Sequence, residues 1–279
     1  MASQTPGAQP ILSVKMDSAI VLSGLLATLK LGKGQNVFFL VREEGITFVV
    51  EDFRNVQASM LVPRALFQDF SYRLNEVIEF KVVLSALVEC LNLFGPTDTR
   101  TMLELSLPAS REKLVLTLTN GSVLTLVELR ILDSDGTADL QFNALPILNK
   151  VIMRSDTLKE VLSELDWSND AMVLLLSPDD PFFRISTVGP SASFQIDFPK
   201  DADVFEHFSC TQTQQTTYKL RFLQPCLKAL AAASKTQVRV NQQGMLNLRH
   251  MVVVEHHQLN VFIDFFIACS DLDSDDEDV

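Results

Sequence analysis

Apolar and polar side chains alternate along most of the chain, a period of two that is typical of β-strands with one buried face. Two β-rich runs in residues 36–53 meet at Glu43–Gly45, which predicts a hairpin. Three more runs follow one another in residues 101–130, and Asn120–Gly121 predicts a tight turn between the last two. The pattern therefore predicts antiparallel sheet through most of the molecule.

A spacing of three and four between apolar residues replaces this alternation in a few places. It predicts four helices, at about residues 18–31, 84–94, 156–166 and 224–234. Asp17 and Asp156 stand where helix N-caps are expected. The face opposite each apolar stripe has small or polar side chains, as at Ala19 and Ser23 of the first helix. Ordinary solvated helices usually have more charge on that face.

The same order of elements occurs twice. Lys81 and Lys219, which lie in two similar stretches where a strand runs into a helix, are 138 positions apart, and Asp17 and Asp156 are 139 apart. This indicates a tandem duplication and an α+β fold of two similar domains. The predicted organisation is a lead-in at 1–10, a first domain at 11–130, a connecting loop at 131–146, a second domain at 147–269 and an acidic tail at 270–279.

Charge is concentrated at the carboxyl end. The net charge is −12, and the tail 270–279 contains six acids and no base, so the rest of the chain has −12 + 6 = −6. Such a run is typical of a solvated appendage, with a regulatory or docking role as the alternative; Ser270 and Ser274 could accept phosphate there. An acidic chain is not expected to hold DNA by overall charge.

Targeting signals and reactive thiols are not evident. No run of about 18 apolar residues predicts a membrane span, and the first ten residues do not have the pattern of a signal peptide. The four cysteines are scattered and are expected to be reduced, inside the cell.

Motifs for catalysis are weak. The run at 31–36 does not match the phosphate-binding loop GxxxxGK[ST]. Glu51–Asp52, Asp179–Asp180 and Asp201 with Asp203 are isolated acid pairs, whereas a two-metal nuclease needs converging carboxylates. Glu255–His257 could suggest a metal site, but neighbours on a strand point to opposite faces, and a loop is expected. We therefore predict no enzyme activity, metal or cofactor, with a 3'-5' DNA exonuclease as an alternative.

Four stretches carry a family resemblance. They are LSELD at 162–166, LLSPDDPFFRISTVG at 175–189, DFPKDADVFEHFSCTQTQ at 197–214 and YKLRFLQPCLKAL at 218–230. Together with the duplicated plan, they resemble checkpoint sliding-clamp subunits of the Rad-one family, relatives of proliferating cell nuclear antigen. The resemblance implies the DNA sliding-clamp fold, with antiparallel sheets outside and two helices per domain lining the inner face.

The resemblance also implies a nuclear function in checkpoint signalling and repair. It implies a ring with Rad-nine-like and Hus-one-like subunits around double-stranded DNA, loaded by an ATP-dependent clamp loader at damage sites. Neighbouring subunits of such a ring pair edge strands, here about Ser122–Leu129 and Ser191–Phe198, with an internal strand pair as the alternative. The implied interface residues are Ser122, Leu124, Leu126, Glu128, Ser193, Phe194, Ile196 and Phe198.

Clamp resemblance further assigns DNA-facing residues and a groove for partner peptides. Lys30 and Lys228 match basic channel positions, although ordinary surface charge is an alternative interpretation. The further channel candidates are Lys15, Arg154, Lys159 and Lys235, and the groove candidates are Leu140, Phe142, Ile267 and Ala268. Glu89 and Asn92 stand where homotrimeric clamps have lysine, which weakens the expected grip on DNA. A protein-only adaptor that does not contact DNA is the remaining alternative.

Overall fold

A computed structural model describes residues 9–52, 55–73, 77–133, 136–138, 140–189 and 193–270, and these fall into two units. Unit 1 contains the described residues up to Val50 and those from Leu61 to Thr137, and unit 2 contains Glu51–Met60 and those from Ala138 onward. The predicted lead-in and acidic tail fall almost entirely outside the described residues, as does Ser191 of the second predicted edge.

The first half of the chain follows the predicted plan of strand, helix, five strands, helix and three strands. Its strands are β1 (Leu12–Met16), β2 (Asn36–Arg42), β3 (Gly45–Asp52), β4 (Val56–Pro63), β5 (Asp69–Tyr72), β6 (Ile78–Val83), β7 (Met102–Leu107), β8 (Lys113–Asn120) and β9 (Val123–Arg130). Its helices are α1 (Ala19–Thr28) and α2 (Leu84–Leu91), and a short 3-10 turn spans Arg64–Leu66.

The second half repeats this order, which confirms the predicted duplication. Its strands are β10 (Ile147–Arg154), β11 (Ala171–Leu176), β12 (Phe183–Val188), β13 (Ser193–Phe198), β14 (Phe205–Cys210), β15 (Gln214–Lys219), β16 (Lys235–Asn241), β17 (Leu246–Val254) and β18 (Leu259–Ile267). Its helices are α3 (Ser155–Ser163), α4 (Leu220–Leu223) and α5 (Cys226–Ala232). Two 3-10 turns, Phe142–Ala144 and Glu255–His257, complete it.

Unit 1 contains two antiparallel sheets. One has the strand order β5-β1-β7-β8-β9, and in the other β2 lies between β3 and β6. The predicted hairpin joins β2 to β3, and Asn120 pairs with Val123 around the predicted tight turn. Inward side chains alternate along the strands, so that Phe39 stacks on Phe80 with ring centres 4.5 Å apart.

Unit 2 has the corresponding pair of sheets. The order β14-β10-β16-β17-β18 continues onto β4, where Val56–Met60 pairs with Ile263–Ile267 of β18. The second sheet has the order β13-β12-β11-β15. Every pairing among the described strands of this unit is antiparallel, as the alternating pattern predicts.

The helices pack through the predicted leucine stripes. All four leucines of the α1 stripe are at most 5% exposed; they are Leu22, Leu25, Leu26 and Leu29. The prediction that Ala19 and Ser23 form an outer face was wrong, since they are 0% and 2% exposed. α1 lies against α2 in unit 1.

Helix starts differ from prediction because strands run directly into helices. Asp17 does not cap α1, whose N-cap is Ser18, and Asp156 lies in the first turn of α3, whose N-cap is Arg154. Neither N-cap residue, Ser18 or Arg154, makes a side-chain cap bond. The first helical N–H donates instead to a distant carbonyl, from Ala19 to Thr101 at 2.8 Å and from Ser155 to Ser234 at 3.1 Å. The neighbouring chain thus replaces the capping side chain.

Candidate assembly edges, basic helix residues and connector groove

β9 is an edge strand of unit 1 and, within the described residues, pairs only with β8. Its outer face includes two solvent-exposed leucines, Leu124 at 66% exposure and Leu126 at 59%. Glu128, on the same face, accepts a 2.5 Å hydrogen bond from Lys113 of β8. Ser122 precedes the strand in the exposed turn. One set of backbone N–H and C=O groups of β9 therefore faces away from its sheet.

β13 is the corresponding edge of unit 2, where β12 is its partner among the strands that the structure describes. Phe198 is 7% exposed and its ring lies 5.2 Å from that of Phe183, centre to centre. Phe194 and Ile196 are half-buried on the same face, and Ser193 is exposed. The interpretation of these two segments as an internal strand pair does not fit, since each lies at a sheet edge.

The six predicted DNA-facing residues are all exposed, and they fall into two groups. Lys30 follows Leu29, the C-cap of α1, while Lys159 lies on α3 and Lys228 on α5, and no ion pair joins these three to a carboxylate within the described residues. The other three are ion-paired: Lys15 with Glu104 at 3.8 Å, Arg154 with Asp156 at 2.7 Å and Lys235 with Glu206 at 2.9 Å. Because a carboxylate lies beside each cation of the second group, these cations attract a polyanion less strongly.

The connector forms one wall of a groove in unit 2. A cavity of about 380 Å³ is lined by Gln57, residues Leu140–Ala144 and Phe266. The rings of Phe142 and Phe266 lie 5.3 Å apart, centre to centre. Two predicted groove residues, Leu140 and Phe142, therefore border a real depression.

The other two predicted groove residues do not line this cavity. Ile267 is 0% exposed because strand alternation turns its side chain into the core, and its neighbour Phe266 faces the groove instead. The Ala268 N–H donates to the Asn55 carbonyl at 2.8 Å. A prediction placed one position earlier in the last strand, at Phe266 instead of Ile267, would have named the side chain that lines the groove.

Two polar contacts attach the connector to unit 2. Glu51 Oε1 accepts a 2.7 Å bond from the Ala138 N–H and a 2.6 Å bond from Gln57 Nε2, which also donates to the Ala138 carbonyl at 2.9 Å. Further along the connector, the Arg239 guanidinium lies over the Phe142 ring. Glu51, one of the acids weighed for metal binding, thus has a structural role.

A largely buried polar cluster, which the sequence pattern did not indicate, supports Arg239. Its Nε and Nη2 donate to Asn247 Oδ1 at 2.9 and 2.7 Å. Asn247 Nδ2 in turn donates to Asp264 Oδ1 at 3.0 Å, and Arg249 makes two bonds to the Asp264 carboxylate at 2.8 and 3.0 Å. Burial and the charge of Arg249 lower the pKa of Arg239, while Asp264 raises it. We name these four residues the Arg239 cluster.

A second buried cluster connects α3 to the sheet. Ser155 Oγ lies 2.7 Å from Thr236 Oγ1, which lies 2.9 Å from His250 Nδ1. His250 is 0% exposed, and its Nε2 has no hydrogen-bond partner among the described residues. Burial lowers the pKa of His250 from 6.5 to about 3, so the imidazole is neutral at physiological pH.

Other sites considered from the sequence have no matching geometry. Glu255–His257 forms the predicted loop, as a 3-10 turn, and no group of three or more His, Cys, Asp or Glu side chains within the described residues is arranged to hold a metal. No helix in the described part of the chain is long and apolar enough to span a membrane.

The fold defines the class of protein first. The chain matches a chain of the crystal structure of a PCNA2–PCNA3 complex from Sulfolobus tokodaii with a TM-score of 0.72, over 92% of this chain and 99% of that one. At 16% identity this similarity establishes the fold, which is that of the sliding clamps. The predicted fold class is confirmed.

Sequence comparison then gives the family. The model of the family described as repair protein Rad1/Rec1/Rad17 matches residues 11–252. The chain is 32% identical to the human cell cycle checkpoint protein RAD1 over 263 residues, 93% of this chain and 92% of that one. It is 34% identical to the mouse protein of the same name over 266 residues, 94% and 93% of the two chains. The chain belongs to the Rad1/Rec1/Rad17 family, as the resemblance predicted.

Proposed function

We propose that this chain is one subunit of a heterotrimeric clamp that encloses double-stranded DNA and acts, without enzyme activity of its own, as a platform for checkpoint and repair proteins. The observation that carries the proposal is the pair of open sheet edges, β9 in unit 1 and β13 in unit 2. The names of the relatives, cell cycle checkpoint protein RAD1 in human and mouse, support the biological setting and a nuclear location.

The two edges suit strand pairing between subunits. β9 is the last strand of the first repeat and corresponds to β18 of the second, which has a partner in Val56–Met60 of β4. β4 is the third strand after the first helix, and β13 holds that position in the second repeat. Pairing of β9 of one subunit with β13 of the next would repeat the β18–β4 pairing. It would also cover two open sheet edges, which are an aggregation hazard when exposed.

Enclosure, with charge as a minor contribution, is the proposed basis of DNA retention. Tight non-specific binding requires clustered cations that displace counterions from phosphate. This chain has a net charge of −12, and three of its six channel candidates are already ion-paired. Lys30, Lys159 and Lys228 would then make weak, exchangeable phosphate contacts, which suits a ring that has to slide.

Different subunits, one Rad-nine-like and one Hus-one-like, would complete the ring. An ATP-dependent clamp loader would open and close it at damage sites. The connector groove, with Leu140, Phe142 and Phe266 on its walls, would receive aromatic-anchored peptides of repair and checkpoint proteins. The proposed domains are residues 11–130 and 147–269, joined by the connector at 131–146.

The mass of the complex that this chain forms with its presumed companion subunits tests whether β9 is a subunit interface. The wild-type chain should form a 1:1:1 complex by native mass spectrometry, and a variant with Leu124→Asp and Leu126→Asp should lose one of its two neighbours. Leu93→Asp is the matched control, since Leu93 is 53% exposed in unit 1 but lies outside β9. Retention of both neighbours by the β9 variant would contradict the proposed interface.

An adaptor that assembles but does not contact DNA is a second candidate, favoured by the ion pairing of Lys15, Arg154 and Lys235. It predicts the same complex, but no retention on closed circular DNA. A nuclease would be recognised in the same assay by loss of DNA ends when magnesium or manganese is added.

A further inference from the structure

The described chain ends in a groove beside a basic helix. Ser270 lines a cavity of about 680 Å³ together with the loop Trp167–Ala171 and the first residues of the α4 region. Lys219, Arg221 and Gln224 line the same cavity. We name it the α4 groove; all of its residues belong to unit 2.

The path of the backbone leads the acidic segment to this groove. Cys269 is 3% exposed, and its Sγ lies 3.5 Å from the Gln243 carbonyl, so the chain is held up to that point. The next residue, Ser270, is half-buried, and its Oγ is without a hydrogen-bond partner among the described residues. Ser270, the last described residue, therefore lies at the α4 groove, and residues 271–279 of the sequence contain the six acids.

The groove opens onto a basic helix face. Arg221 and Lys228 are exposed and seven residues apart, and Gln224 and Pro225 between them have helical backbone angles, so both cations lie on one side of α4 and α5. No ion pair joins either cation to a carboxylate within the described residues. Asp170 is the one carboxylate that lines the groove among the described residues, against Lys219 and Arg221.

We propose that residues 271–279 dock along this face, with their carboxylates beside Arg221 and Lys228. The reach is sufficient: nine extended residues span about 30 Å, whereas two helical turns between the cations span about 10 Å. The groups are exposed to water, so the contact is weak, reversible and sensitive to salt. The tail thus covers Lys228, and in the clamp proposed above it would compete with DNA phosphate for that lysine.

Carbodiimide cross-linking of the isolated full-length chain, followed by mass spectrometry, tests the docking. The tail carboxylates should couple to Lys219 and Lys228 about five-fold more than to Lys200, an exposed lysine of unit 2 outside the groove. At about 1 M salt, where the Debye length is near 3 Å, this preference should disappear. Arg221→Gln should lower coupling to Lys228, and Lys159→Gln on α3 should not.

Backbone NMR provides a second readout that needs no lysine. Deletion of residues 271–279 should shift amide signals of Lys219–Ala232 and leave those of the β9 edge in place. Equal coupling to Lys200, coupling that salt does not change, or unshifted amides would each overturn the proposal. Neither measurement contains DNA or companion subunits, so its result does not depend on whether the chain assembles into a ring.

Discussion

The Arg239 guanidinium carbon lies 5.2 Å from the centre of the Phe142 ring. This contact joins strand β16 to the connector, and the cluster behind it is made of side chains from β17 and β18. Arg239 has 12% of its side chain exposed, so its charge acts on the ring with little screening by water. The shape of the connector groove therefore depends on a largely buried polar cluster that lies behind its wall.

Arg239→Gln is expected to weaken both the connector and the unit. It removes the charge above Phe142 and leaves Asn247 and Asp264 with fewer partners, at a cost of about 2 kcal/mol in the free energy of unfolding. Urea denaturation measures this cost, and limited proteolysis should show faster cleavage within Ala138–Leu145. Arg184→Gln is the control, because its ion pair with Asp197 lies at the surface and should cost below about 1 kcal/mol. Equal losses in the two variants would contradict the account.

His250 predicts a specific dependence of stability on pH. Its folded-state pKa of about 3 lies below the unfolded value of 6.5, so the unfolded chain takes up a proton that the folded chain excludes. The stabilisation is fully present above pH 6.5 and is lost as the pH falls toward 3, by up to about 1.4 kcal/mol per pH unit.

Comparison with His250→Asn isolates this effect. The variant should be less stable than the wild type at pH 7.5, although asparagine can still bond Thr236. Because asparagine does not titrate, the variant should lose less stability than the wild type between pH 6.5 and pH 4.5. Urea denaturation at several pH values measures the difference in slope. Parallel slopes for wild type and variant would show that His250 does not titrate between the two states.

Gly45 is expected to tolerate no side chain. Its φ is +146°, and a Cβ there would lie 2.1 Å from the Val62 carbonyl oxygen and 2.9 Å from the Arg64 nitrogen. Gly45→Ala should therefore lower the free energy of unfolding by about 3 kcal/mol, through displaced backbone and strain at positive φ. Gly121→Ala is the control: its φ is +59° with open space around it, and its cost should be about 1 kcal/mol. Thermal or urea unfolding that ranks the two equally would be inconsistent with this packing.

Local patterns predicted most of the strands and turns, because a period of two and a two-residue turn need only neighbours in sequence. They failed at two elements of the second half. Pro225 divides the predicted helix 224–234, and the true helical region begins earlier, at Leu220. β14 was missed because Phe205 and Phe208 are three apart, a spacing that does not alternate.

The candidate surfaces differ in the same way. The β9 and β13 edges came from family resemblance and agree with the sheet order, whereas the Arg239 cluster depends on the register of three strands. Arg239 lies opposite Asn247, and Arg249 lies opposite Asp264. Such pairings depend on which residues stand opposite each other across neighbouring strands, and the apolar–polar pattern alone does not fix that register.

Retention on DNA of defined topology tests the central claim most directly. The chain, mixed with its companion subunits and the clamp loader with ATP, should remain on closed circular DNA through a high-salt wash and should be released when one restriction cut linearises that DNA. A Lys30→Gln and Lys228→Gln variant should be retained on the circle nearly as well, because enclosure holds the ring. Equal retention on circular and linear DNA, or none on either, would contradict the account.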